Sequence, residues 1–225
     1  QENGTLIFVH GLGNNRSALL DQAAMLAEQG FGALLFDLRA HGRSQGKQSS
    51  WGQQEVADVE AALTFLQQQP EVNSDKIGIV GHSMGGAIAI RAAAQLPEIK
   101  VVVAESVYTN FAQNQARLTV SFARLPDWTA PIIMPWAEAL AGVDSGQLAP
   151  LQEVAAISPR PILFIQGGRD KTVHVQNGSI LYEAAVSPKE RLLIPDSGHN
   201  NLFQTDPQQM SLRLSQFLQK YLQES

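Results

Sequence analysis

The sequence predicts an α/β fold: a mainly parallel sheet of about six strands with helices on both faces. Three observations lead there. Short, near-continuous apolar runs of strand length recur along the chain, and stretches with helical periodicity separate them. Strands that are apolar throughout are buried on both faces, which is the signature of a parallel sheet joined by crossover helices. The residues able to do chemistry cluster where those runs end, and parallel sheets bind ligands outside the carboxyl ends of their strands.

The apolar runs are Thr5 to Val9, Gly32 to Phe36, Lys76 to Val80, Lys100 to Ala104, Pro161 to Gln166 and Arg191 to Ile194. Between the first two, Ser17 to Gln29 carries Leu20, Ala23, Ala24 and Ala27 at three- and four-residue spacing, as one face of a helix requires. Further helices are expected over Ser50 to Gln69, Ala87 to Ala94 and about Pro207 to Leu222. Residues 106–159 break the rhythm: Phe111, Trp128, Met134 and Trp136 lie among prolines with no strand pattern. A long insertion after a strand reads as a cap or lid over the site, the alternative being two ordinary helices packed on the sheet. The chain is therefore expected to form one domain over residues 1–225, with residues 106–159 inserted in it.

Composition excludes several classes of function. The 225 residues are 44% hydrophobic and 16% charged, with a formal net charge of -5 and no block of like charge. Nothing in that balance attracts nucleic acid or an anionic membrane. There is no cysteine, which removes disulfides, thiolate metal sites and a thiol nucleophile. No run approaches the ~18 apolar residues of a membrane-spanning helix, and no signal peptide is visible. The chain opens at Gln1 and reaches its first strand by Thr5, which reads as a processed or truncated N-terminus. A cytoplasmic location is favoured, with secretion or anchoring as the alternatives if a leader has been removed.

Gly81-His82-Ser83-Met84-Gly85 has the form G-x-S-x-G at a junction between a strand and a helix. In that setting the pattern is a nucleophile elbow, a strained turn that exposes a serine hydroxyl. A serine nucleophile needs a base, an acid that orients the base, and donors for the oxyanion. Of the five histidines, His82 adjoins the serine and points away from it; His10 and His41 lie in early loops suited to organising turns. His199, in Asp196-Ser197-Gly198-His199-Asn200 after the last strand, is the candidate base. Asp170, in Gly167-Gly168-Arg169-Asp170, is the preferred acid, with Glu105 at another strand end as its rival. Asp196 reads as a turn former. The backbone amides of Leu12 and Met84 are the expected oxyanion donors.

These stretches resemble the α/β-hydrolase superfamily over essentially the whole chain. The likeness rests on His10-Gly11, Asp37-Leu38-Arg39-Ala40-His41-Gly42-Arg43-Ser44, Gly81-His82-Ser83-Met84-Gly85-Gly86, Gly167-Gly168-Arg169-Asp170 and Ser197-Gly198-His199. The order Ser, Asp, His is that superfamily's order. A serine at the nucleophile position argues against haloalkane dehalogenases, which use aspartate, and dienelactone hydrolases, which use cysteine. Pro159-Arg160-Pro161-Ile162-Leu163-Phe164-Ile165-Gln166-Gly167 looks like the branch of small carboxylesterases, feruloyl-type esterases and prolyl-oligopeptidase catalytic domains. Members often carry an antiparallel hairpin before the strand that ends in His-Gly; here only residues 1–4 precede it. The run Gly32 to Phe36 would then be a sheet edge, open to pairing in a homodimer or to aggregation.

The expected activity is hydrolysis of carboxylic esters through an acyl-enzyme, with no metal or organic cofactor. Phe111, Trp128, Met134 and Trp136 would line a pocket for an apolar or aromatic acyl group, or form the insertion's own core. Alternatives on the same residues are a perhydrolase (haloperoxidase-like), thioesterase or C–C hydrolase, and a non-catalytic binding module.

Overall fold

A computed structural model describes residues 3–116, 125–141 and 144–222. Six parallel strands form one sheet: β1 (Thr5–Val9), β2 (Gly32–Leu35), β3 (Ile77–His82), β4 (Ile99–Glu105), β5 (Ile162–Gly167) and β6 (Lys189–Ile194). Their order across the sheet is β2-β1-β3-β4-β5-β6, so the chain reverses direction of travel between β1 and β3. The crevice at that reversal lies above the carboxyl ends of two central strands, where open α/β sheets hold ligands.

Helices α1 (Leu20–Glu28), α2 (Val56–Gln67), α3 (Met84–Gln95), α5 (Gln176–Ala184) and α6 (Pro207–Leu222) cover the two faces, and α4 (Ala130–Ala141) belongs to the insertion. On one face, Leu26 of α1 and Leu214, Phe217 and Leu218 of α6 pack with Leu6, Phe8, Val101 and Val103. On the other, Val59 and Leu63 of α2, Ile88 and Ile90 of α3 and Leu181 of α5 pack with Ile7, Ile79, Val102 and Phe164. Alternate residues of each strand thus serve opposite cores, which is why the strands read as unbroken apolar runs.

The second helix begins six residues later than its periodicity predicts, at Val56 rather than Ser50. Glu55 explains the delay. Its carboxylate accepts the Ser50 and Gly52 amides at 2.8 Å each and the Ser50 hydroxyl at 2.5 Å. Those bonds wind the segment into a turn with Trp51 and Gly52 at positive φ, which a helix cannot continue through.

Most of the described part of the insertion is helical: residues 111–116, Asp127–Thr129, α4 and Pro150–Glu153. Residues 117–124 and 142–143 of the insertion lie outside the described residues. The two ends of the segment are tied to each other by Phe111 N–H to Leu148 O (2.9 Å) and Leu151 N–H to Thr109 O (3.2 Å). As the sequence predicts, β2 lies at the sheet edge, with Ala33 exposed and Leu34 and Leu35 half-buried. Among the described residues no helix is long and apolar enough to cross a membrane.

Candidate active site

β3 ends at His82, α3 begins at Met84, and Ser83 between them has φ 55° and ψ −118°. That conformation is costly for a residue with a side chain and persists only where packing imposes it. Here close packing of α3 on the sheet imposes it. A Cβ on Gly85 would collide with the Val9 carbonyl oxygen, and one on Gly81 with the carbonyl of Gly85, so only glycine lets the helix come this near. The Ser83 amide donates to Glu105 O at 2.8 Å, which pins the turn to the end of β4.

The loops after β5 and β6 are laced together. Gly168 N–H donates to Ile194 O at 2.9 Å and Arg169 N–H to Ser197 O at 2.8 Å. Exposed Arg169 and Asp196 pair at 2.5 Å above them, consistent with a turn role for Asp196. This lacing carries Asp170 and His199 to the same point. His199 Nδ1 lies 2.8 Å from Asp170 Oδ2, and its Nε2 lies 2.9 Å from Ser83 Oγ. An ionised carboxylate can only accept, so Nδ1 carries the proton and Nε2 accepts from the serine hydroxyl.

Asp170 is fully supplied with donors. Besides His199 it accepts the Thr172 and Val173 amides at 2.9 and 2.8 Å and the Gln166 side-chain amide at 3.1 Å. Burial pushes its pKa up, but the bonds from His199 and the two amides outweigh it and hold the carboxyl below its usual value. Glu105, the rival acid, is not near His199's Nδ1. It is buried beside His82, whose Nδ1 is 3.9 Å from Glu105 Oε2, and accepts one bond, from Gln22 Nε2 at 2.7 Å. Burial raises it to about 7.

A cavity of about 250 Å³ opens over Ser83, walled by Leu12, Met84, Tyr108, Phe111, Asn114 and Gln115, among others. Of the four residues singled out for a pocket, Phe111 is in this wall. Met134 is buried outside it, and Trp128 and Trp136 are 69% and 74% exposed. Tyr108, Asn114 and Gln115 carried no sequence signal beyond their place in the insertion. The early histidines organise turns: His10 Nδ1–H donates to Gly11 O at 2.8 Å while its Nε2 accepts the Leu38 amide at 3.1 Å. His41 Nδ1 likewise donates to Arg39 O at 2.8 Å. Among the described residues, no three His, Asp or Glu side chains form a metal-binding group.

With a parallel sheet, an elbow serine at its switch point and laced loops after β5 and β6, the class is that of the α/β hydrolases. The chain belongs to the alpha/beta hydrolase family, matching it over residues 6–211. It is similar to the uncharacterized protein YfhR of Escherichia coli O157:H7, 28% identical over 201 residues, covering 88% of this chain and 64% of that protein. It is also similar to the uncharacterized protein YqkD of Bacillus subtilis, 28% identical over 204 residues, covering 89% of this chain and 66% of the relative. The chain thus spans about two thirds of the length of these curated relatives. Among solved structures it resembles the Pyrococcus furiosus esterase Pf2001, with TM-score 0.81 and 30% identity, covering 98% of this chain and 83% of the esterase.

Proposed function

We propose that this chain is a serine hydrolase that cleaves carboxylic esters with Ser83, His199 and Asp170 as its triad. The observation that carries the reading is the relay Asp170–His199–Ser83 at 2.8 and 2.9 Å. In the first half-reaction Ser83 Oγ attacks the ester carbonyl carbon while His199 Nε2 takes its proton. Asp170 holds the imidazole in the tautomer that can accept and stabilises the imidazolium. The Met84 amide, in the first turn of α3, has no intrahelical partner and faces the forming oxyanion together with the Leu12 amide. The imidazolium then protonates the leaving alkoxide, and water repeats the sequence on the acyl-enzyme.

Tyr108 and Phe111 give the cavity an apolar wall, and its volume of about 250 Å³ suits short to medium acyl groups. The described insertion residues that wall it, Phe111, Asn114 and Gln115, support a cap role for residues 106–159 within a single domain. Likeness to the Pyrococcus furiosus esterase at 30% identity supports ester hydrolysis. The test is turnover of p-nitrophenyl esters from acetate to palmitate, with Ser83→Ala as control. Turnover that vanishes in the variant supports the reading; turnover that survives it, or none on any ester, contradicts it. The edge position of β2 supports a homodimer, and a clean monomer by light scattering at high concentration would count against that.

A further inference from the structure

On the far side of His82 from the nucleophile lies a second cavity, of about 220 Å³, many times the ~30 Å³ share of one liquid water. His82, Asn14 and Asn200 form a common wall between it and the cavity over Ser83. Its floor is Glu105, 2% exposed, at the end of β4. One carboxyl oxygen of Glu105 accepts from Gln22 Nε2 at 2.7 Å; among the described residues the other has only His82 Nδ1 at 3.9 Å, beyond hydrogen-bond range. His82, itself 8% exposed, has an Nε2 without a hydrogen-bond partner among the described residues. Asp21 stands at the mouth, and no lysine or arginine lines the cavity among the described residues. The triad uses none of these groups.

A buried carboxyl with one donor is under-supplied: an ionised carboxylate offers about four acceptor positions. Burial without a counter-charge is what a folded protein ordinarily avoids. The wall cannot provide that charge, because burial, followed by the charge of nearby His199, pushes His82 down to about 4 and leaves its ring neutral at physiological pH. When the carboxyl ionises, a solute that brings a positive charge and several N–H donors would supply what the described wall does not. We propose that this cavity is a second ligand site, which takes the head group of a small primary ammonium compound onto Glu105 and Gln22, next to the nucleophile's cavity but separate from it.

Among the described residues the groups facing Glu105 are Gln22 from α1, His82 from β3 and, at the mouth, Asp21, so the titratable cation in reach there is one held neutral. Because Glu105 sits near 7 when the cavity lacks a cation, an ammonium ion that binds the ionised form gains affinity as pH rises through that value. From pH 6 to pH 8 the ionised fraction, and hence the affinity, increases roughly ten-fold.

The experiment is calorimetric titration of the wild-type protein with n-propylammonium chloride at pH 6 and pH 8, with n-propanol and sodium propionate as matched controls. Saturable binding of propylammonium that tightens roughly ten-fold at pH 8, with little binding of either control, is the expected result. Glu105→Gln, which keeps the shape but not the charge, weakens it at least ten-fold. Ala18→Trp, on an exposed residue at the mouth, weakens it by obstruction and keeps the proposal testable if Glu105→Gln does not fold. Absence of saturable binding, equal binding of propanol or propionate, or affinity unchanged in Glu105→Gln overturns the site. The readout does not involve ester turnover, so it stands or falls apart from the triad.

Discussion

Ser83 is flanked by two acid–histidine pairs built from the same materials, and they have opposite characters. On one side Asp170 and His199 meet at 2.8 Å; on the other Glu105 and His82 stop at 3.9 Å. Both carboxyls are buried, at 8% and 2% exposure, so burial alone does not separate them. The number of donors does. Asp170 accepts from His199, Gln166 and two backbone amides and is held ionised, whereas Glu105 accepts from Gln22 and is pushed toward its neutral form. A carboxylate's charge in the interior is decided by the hydrogen bonds aimed at it. The Asp170 loop supplies these through residues 172 and 173, immediately downstream, while Glu105 ends a strand whose backbone is already committed to the sheet.

The sharpest way to break the comparison is to disable each side in turn. Ser83→Ala removes the proposed nucleophile and should lower kcat by at least ~10³ with folding intact, as checked by ester turnover and circular dichroism. Asp170→Asn reverses the imidazole's donor pattern and should cost roughly 10²–10⁴ in kcat. Glu105→Gln should cost less than about ten-fold, since it acts on neither the tautomer nor the oxyanion. If the two variants lost activity equally, Glu105 would have to be counted with the triad.

Stability should separate the pairs with the opposite ranking. The Glu105 carboxyl sits near 7 folded and at the ordinary carboxylate value unfolded, so the folded state holds the proton more tightly. Stability is then lost as pH rises from about 4.5 through 7, by roughly 3 kcal/mol in full. Glu105→Gln removes that penalty, so its Tm should exceed the wild type's at pH 8 and converge with it near pH 5. Identical Tm–pH curves would show that the carboxyl is not held neutral. Asp170 has the reverse sign: its lowered value adds stability above the unfolded value, lost as pH falls through the folded one. The smallest effect belongs to the exposed aromatics of residues 106–159. Trp128→Ala and Trp136→Ala should each change stability by no more than about 0.5 kcal/mol in thermal melts and leave KM for short esters within about two-fold.

Much of this was legible in the chain as written. Thr5–Val9 and Pro207–Leu222 appear in the structure with the predicted bounds, because strand burial on two faces and a helix's single apolar stripe are periodic and local. The elbow was legible for a related reason: glycines at 81 and 85 are demanded by contacts with β1 and α3 that any such junction makes. The start of α2 was not, because Glu55 redirects residues 50–55 through its own carboxylate.

The sequence by itself determined the sheet, the edge position of β2, the serine turn and the short set of acids and histidines placed at strand ends. Only the tertiary structure decided which acid meets which histidine. It also decided that Phe111 walls the cavity over Ser83 while Trp128 and Trp136 face solvent. The physical reason is range. Periodicity is written over a few residues, whereas the pairing of Asp170 with His199 at 2.8 Å joins side chains from two loops far apart in the chain, brought together by backbone bonds such as Arg169 N–H to Ser197 O.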